Sequence, residues 1–196
     1  HSRDEAAAAW SEIGGPAAMK VVAAEILHKT EMGGVILNIA SAEAAAEAYD
    51  TLMQRARATY PEVAQIAVLV APMVKGGVET VMGVVNDPLF GPAVMFGLGG
   101  ILVEVLHDVT FRLAPFDETE ARRMIGEIRG RAVLDGVRGA AASDIDALAS
   151  ALSRLSVFAA ENADRIESVD VNPFVLLPSG AVALDALIVT RTGQGT

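Results

Sequence analysis

Between Ser168 and Asp185 the chain reads as a hairpin whose pairing is tightly constrained. The segment runs Ser168-Val169-Asp170-Val171-Asn172-Pro173-Phe174-Val175-Leu176-Leu177-Pro178-Ser179-Gly180-Ala181-Val182-Ala183-Leu184-Asp185. Strand alternation puts Val169 and Val171 on one face and Asp170 and Asn172 on the other. Pro178-Ser179-Gly180 is a turn signal. A hairpin centred between Pro178 and Ser179 sets Asn172 opposite Asp185, Val175 opposite Val182 and Val171 opposite Ala186. A slip of one residue would part the two oxygen ligands. Hard oxygen donors converging on one sheet face suit Mg²⁺, which takes one or two protein carboxylates plus substrate phosphates.

The core that such a sheet needs is available. The 196 residues allow one or two domains. Apolar residues make up 52% of them but aromatics only 5%, so Ala, Val, Leu and Ile must fill the interior by close backbone approach. The absence of cysteine excludes disulfides and thiolate metal sites. Acidic residues outnumber basic ones, 25 against 15, for a formal charge of -10. That balance argues against a nucleic-acid surface, which rests on cationic side chains. Apolar runs are broken by Gly, Pro or charge before the roughly 18 residues of a membrane span. His1-Ser2-Arg3-Asp4-Glu5 does not resemble a secretion signal. The reading is a soluble cytoplasmic protein with no nucleic-acid or membrane partner.

Helices and strands are mixed along the chain. Residues 4–13 read as the end of a helix, closed by Gly14-Gly15-Pro16, and Ala17–Val22 as a short strand. A glycine-containing loop covers 23–34, followed by a strand at Val35–Ile39 and a helix from Ser41 to about Thr59. Strands are expected near 64–71, 78–85 and 92–96, and another near 101–106 after Gly97-Leu98-Gly99-Gly100. Asp117 with Glu120 resembles a capping pair for a helix to about Ile128. Ser143 opens a helix to about Asn162. This order favours α/β or α+β with antiparallel sheet over a doubly wound sheet.

Three further constellations bear chemistry. Met19-Lys20-Val21-Val22 sets a lysine on an apolar strand, where it must snorkel or meet an anion. The following Ile26-Leu27-His28-Lys29-Thr30-Glu31-Met32-Gly33-Gly34 can cradle phosphate through amides and cations. Taken alone, Lys20 reads first as an ordinary surface lysine. Val68 to Glu79 is either a plain hairpin or a hinge whose backbone reads a purine edge. Asn86 to Gly100 places two Gly/Pro corners around a strand, without the full dinucleotide fingerprint. His28, flanked by Lys29 and near Glu25 and Glu31, is either a surface histidine or a nucleophile toward phosphorus.

Taken in order, these segments resemble an ATP-grasp domain, and more closely the nucleotide-binding domain of the ADP-forming (NDP-forming) acyl-CoA synthetases. The resembling runs are Ile26 to Val35, Asn86 to Gly100, Phe111 to Pro115, Leu134 to Gly139 and Val169 to Pro173, spread over about residues 4–189. The resemblance implies an ATP-grasp fold with mixed or antiparallel sheets flanked by helices. A partial N-terminal lobe would occupy 1–70 and the C-terminal lobe 71–196. It implies that Lys20 contacts nucleotide phosphates and that the loop Lys29 to Gly34, with Gly33, closes over them. Val70, Ala71 and Met73 would form the adenine-side hinge, with Glu79 near the ribose. Asn172 and Asp185 would bind Mg²⁺, with Asp170 a nearby carboxylate. His28 would relay phosphate between a phosphohistidine on a CoA-ligase module and ADP. The implied net reaction is acyl-CoA + ADP + phosphate ⇌ carboxylic acid + CoA + ATP.

Departures from the family pattern keep other readings open. By this resemblance the chain is expected to start inside the nucleotide-binding domain, with the CoA-binding and ligase modules supplied by other chains or by the missing part of a longer protein. Ala71 stands where relatives often carry a polar hinge residue, and Ser168 where an acid is frequent. An incomplete lobe would expose apolar surface and favour oligomerisation or partner binding. The alternatives are a regulatory ATP-grasp-like module of a protein lysine acetyltransferase and a truncated inactive domain.

Overall fold

The computed structural model describes residues 1–26, 29, 32–100, 107–137 and 139–191. It divides into two compact units, His1–Lys75 and Gly76–Thr196.

In the first unit helix α1 (Arg3–Ile13) starts where the Ser2 hydroxyl accepts from the Glu5 amide and stops at Gly14, whose φ of 68° suits glycine. Strands β1 (Ala17–Val22), β2 (Val35–Ile39) and β3 (Ala67–Pro72) form an antiparallel sheet in the order β2-β1-β3. Helix α2 (Ala42–Thr59) is capped by Ser41. Its buried Ala45, Ala48, Leu52 and Ala56 recur at helical spacing and pack with Ala17, Met19 and Val21 of β1. The small alanines let helix and sheet approach closely, as the low aromatic content requires.

The second unit is built on a six-stranded antiparallel sheet, β6-β5-β4-β7-β8, with β9 also paired to β7. Its strands are β4 (Val78–Asp87), β5 (Gly91–Leu98), β6 (Val109–Leu113), β7 (Ile166–Leu176), β8 (Ala181–Ala183) and β9 (Ala186–Thr190). Helices α3 (Glu118–Glu127) and α4 (Ile145–Glu161) cover one face, and a 3-10 helix spans Arg129–Asp135. Met82, Val84, Val94, Phe96, Val169 and Val171 meet Met124, Ile125, Leu148 and Leu152 in the core. Every strand pairing described is antiparallel, so the class is α+β rather than doubly wound.

Several sequence expectations shift in detail. β3 and β4 lie in different sheets, so the segment between them is not a hairpin. β4 and β5 run longer than expected, to a tight turn at residues 88–90. The expected strand near 101–106 lies outside the described residues. β6 inverts the usual pattern: Thr110 is buried while Phe111 and Leu113 are exposed. Thr110 and Arg112 face α3, where they bond Glu127 and Glu120, so polar pairing replaces apolar contact on that edge. Asp117 caps α3 by accepting from the Glu120 amide. Glu120 does not return the bond of a full capping box, because its carboxylate is taken by Arg112 and Arg123. Helix α4 is capped by Asp144, not Ser143: the Asp144 carboxylate accepts from the Ala147 amide.

Among the described residues no helix is long and apolar enough to cross a membrane.

Candidate functional site

The hairpin expected at the end of the chain is present in the expected register. Val175 pairs with Val182 and Val171 with Ala186. Between these pairs the Asn172 amide donates to the Asp185 carbonyl at 3.2 Å, and the Leu184 amide to the Pro173 carbonyl at 2.9 Å. Val169 and Val171 are buried in the core, whereas Asp170 and Asn172 are exposed. Asp170 and Asn172 therefore share the outer face with Asp185.

The sequence did not reveal a bulge on the other side of β7. Against β4, Phe174 pairs with Thr80 and Val171 with Met82. Asn172 and Pro173 thus oppose the single residue Val81, an arrangement that re-aims a side chain locally. The Asn172–Pro173 peptide is cis. One pair further along, Asp170 lies opposite Gly83. A Cβ on Gly83 would come within 2.8 Å of the Val169 carbonyl oxygen, so only glycine lets β4 approach β7 this closely.

Asp170 carries the electrostatic sign of the site. Although the residue is exposed, its carboxyl is pushed above the ordinary aspartate value, first by partial burial and then by the charge of Asp185. Two carboxyl groups that repel each other beside a neutral amide form an oxygen donor set that a hard cation would stabilise. Among the described residues no group of three or more His, Asp or Glu side chains gathers to hold a metal. The residues fit an ion that takes few protein ligands and completes its shell with phosphate oxygens and water, which is the habit of Mg²⁺.

Glu79 is exposed on β4 opposite Val175. Its carbonyl accepts from the Gly99 amide at 2.8 Å, and a Cβ on Gly99 would sit 3.0 Å from Glu79 backbone carbon. The glycine run after β5 therefore packs directly on Glu79.

In the first unit Lys20 lies on β1 between Leu69 and Val35, on the face opposite the buried Met19 and Val21. Val70 pairs with Met19 and Ala71 with Ala18, and the Met73 amide donates to the Pro16 carbonyl at 2.8 Å. The segment from Val70 to Met73 is thus bound along its length to the lysine strand. The Gly34 amide donates to the Lys29 carbonyl at 2.8 Å, and the Gly34 carbonyl accepts from the Val21 amide at 2.9 Å. Gly33 has a φ of 65°, and its carbonyl accepts from Arg55 Nη1 at 2.7 Å. The structure brings Lys29, Gly33 and Gly34 together beside β1. His28 lies outside the described residues.

Arg55, Gly83 and Asp144 escaped the sequence reading. Gly83 left a trace, as a lone glycine inside a strand pattern signals close backbone approach. Arg55 left none, because its partner is a backbone carbonyl 22 residues away.

A family model for ATP-grasp domains matches residues 1–190. The beta subunit of acetate–CoA ligase (ADP-forming) II from Pyrococcus furiosus is 43% identical over 190 residues, which covers 96% of this chain and 80% of that subunit. Acetyl-coenzyme A synthetase 1 of Ca. Korarchaeum cryptofilum, solved with coenzyme A and Ca-AMPCP, superposes with a TM-score of 0.91 at 38% identity, over 97% of this chain and 82% of the other. The same enzyme with Mg-AMPPCP gives a TM-score of 0.82 at 37% identity, over 95% and 82% of the two chains. In that structure the phosphohistidine segment points towards the nucleotide-binding site.

Proposed function

The chain belongs to the ATP-grasp domains of the ADP-forming acyl-CoA ligases, and on that premise we propose that it moves a phosphoryl group between a phosphohistidine and ADP. The relatives are acid–thiol ligases, which supports this reading over a regulatory acetyltransferase module or an inactive fragment. The observation that carries the site assignment is the pairing of Asn172 with Asp185, next to an Asp170 whose carboxyl is pushed up by Asp185.

Phosphoryl transfer asks a protein for in-line positioning and neutralisation of oxygen charge more than for covalent chemistry. Asn172 and Asp185, with Asp170 beside them, would hold Mg²⁺, which when bound supplies that neutralisation at the phosphate oxygens. Lys20 is assigned to the phosphates as a point charge on a rigid strand. Gly33 and Gly34, with Lys29, are assigned to the phosphates as a loop that offers amides and a cation. Val70, Ala71 and Met73 are assigned to the adenine through their backbone, and Glu79 to the ribose. His28 is assigned as the relaying nitrogen: as nucleophile it takes the phosphoryl group from the phosphohistidine of the ligase module, freeing that imidazole, and its own N–P bond then breaks as an ADP β-phosphate oxygen gains the group, leaving imidazole and ATP. The thioester half of acyl-CoA + ADP + phosphate ⇌ carboxylic acid + CoA + ATP falls to a CoA-binding and ligase subunit or fused modules, in a cytoplasmic setting.

The test is labelling from γ-labelled ATP with Mg²⁺, comparing the wild type with His28→Ala and Asp185→Ala. Acid-labile, base-stable label that disappears in both variants supports the assignment. Nucleotide binding with no label, even after addition of a ligase subunit, would sink the relay.

A further inference from the structure

A loop and a helix start meet at the turn of the metal hairpin. The Asp144 carboxylate uses both oxygens: Oδ1 accepts from the Ala147 amide at 2.9 Å and Oδ2 from the Gly180 amide at 2.7 Å. The Asp144 amide in turn donates to the Leu177 carbonyl at 2.9 Å. Within the turn the Leu177 amide donates to the Gly180 carbonyl at 3.0 Å. One residue therefore caps α4 and grips both sides of the β7–β8 turn.

The grip matters because β8 is short. It spans only Ala181–Ala183, and none of its residues is buried, Ala181 alone of the three packing against the core. Beyond it Leu184 and Asp185 stay bonded to Pro173 and Asn172 until β9 begins at Ala186. Asp185 is located from one side by the β9 ladder and from the other by β8, which is anchored at the turn. Gly180, at a φ of 78°, meets a fixed carboxylate there rather than solvent.

We infer that Asp144 is a positioning residue for the Asn172–Asp185 pair, acting through the Gly180 turn. This rests on the reading of that pair as metal ligands. A carboxylate is required because both partners are N–H donors. Asparagine has one acceptor oxygen and would present an NH₂ group to the other donor. Groups that hold metal ligands in place from behind typically govern affinity by about 10–100-fold.

The experiment is a titration of Mn²⁺ in the presence of ADP, followed by electron paramagnetic resonance of free Mn²⁺, together with thermal melts of the metal-free protein. The variants are Asp144→Asn, Asp185→Ala and Asp117→Ala. Asp117 caps α3 by accepting from the Glu120 amide at 2.9 Å, a bond made within its own helix start. Asp117→Ala therefore controls for the loss of a helix cap in the same unit. We expect Asp144→Asn to weaken Mn²⁺ about tenfold, and Asp117→Ala to lower the melting temperature while leaving Mn²⁺ affinity unchanged. Wild-type Mn²⁺ affinity in Asp144→Asn, or equal weakening in both cap variants, would overturn the inference. Wild-type affinity in Asp185→Ala would instead overturn the metal reading and the inference with it.

Discussion

In the second unit Asn172 and Asp185 sit on a pairing that keeps one register from Leu176 and Ala181 back to Ser168 and Val189. In the first unit Lys29, Gly33 and Gly34 are held by individual hydrogen bonds to Val21 and Arg55 and within the loop. The contrast concerns how a site stores its geometry. A ladder fixes each side chain through its neighbours, so a ligand moves only if several bonds break. A loop tied by single bonds adjusts when one is lost. On the proposed assignment the hairpin would suit metal ligands that must keep a fixed separation, and Lys29, Gly33 and Gly34 would suit contacts to a phosphate.

The largest effects should come from removing charge at either place. Asp185→Ala and Lys20→Ala are each expected to lower nucleotide-dependent phosphoryl transfer by about 10²–10³, or roughly 2–4 kcal/mol of barrier. Single-turnover kinetics across a Mg²⁺ series separates them. For Asp185→Ala the apparent Mg²⁺ requirement should rise, while for Lys20→Ala it should stay and the rate fall. Identical Mg²⁺ profiles for the two would break the division of labour.

The same contrast explains what the sequence made legible. The hairpin register followed from Val169, Val171, the Pro178-Ser179-Gly180 turn and period-two alternation, all local facts. The helices from Ser41 and Asp117 followed from their caps. The bulge at Asn172–Pro173 was hidden because it exists only against β4, about 90 residues earlier. β6 was hidden because Thr110 and Arg112 find acids on α3, which inverts the apolar pattern that marks a strand. The roles of Lys20, Lys29 and Glu79 came from family resemblance, since a strand lysine or a glycine loop carries no chemistry by spacing alone.

Closer to the ladder, Gly83→Ala tests whether the approach of β4 to β7 is obligatory. The added methyl would meet the Val169 carbonyl oxygen at 2.8 Å, and backbone must shift on the strand that carries Asp170. A loss of about 1–3 kcal/mol is expected, read by denaturant unfolding. An unchanged midpoint would show that the second unit yields as easily as a loop. In the first unit Arg55→Ala removes one exposed bond to Gly33, for which about 0.5–1.5 kcal/mol is the usual scale. A severalfold higher nucleotide KM with little change in kcat, partly restored in Arg55→Lys, is the expected result.

The smallest expected effect is on the acid limb of stability, and it bears on the hairpin clamp. The amides of Gly180 and then Ala147 hold the Asp144 carboxyl below the ordinary aspartate value of 3.8. A carboxyl whose folded pKa is depressed contributes stability above its unfolded value and loses it as pH falls through the folded one. Glu127, bonded to Arg112, and Glu120, bonded to Arg112 and Arg123, are shifted the same way. The wild type should therefore weaken on acidification below about pH 4, and part of that loss should vanish in Asp144→Asn. Asp170 runs in the opposite sense: its raised pKa makes ionisation a cost to the metal-free fold as pH rises past the ordinary value. Melting temperatures of the wild type, Asp144→Asn and Asp170→Asn between about pH 3 and 7 should thus diverge with opposite signs. Asp144→Asn should lie below the wild type at neutral pH and converge with it in acid, while Asp170→Asn should match or exceed the wild type at neutral pH. Parallel curves for all three would mean that neither carboxylate senses its neighbours, and the hairpin would then be held by its ladder alone.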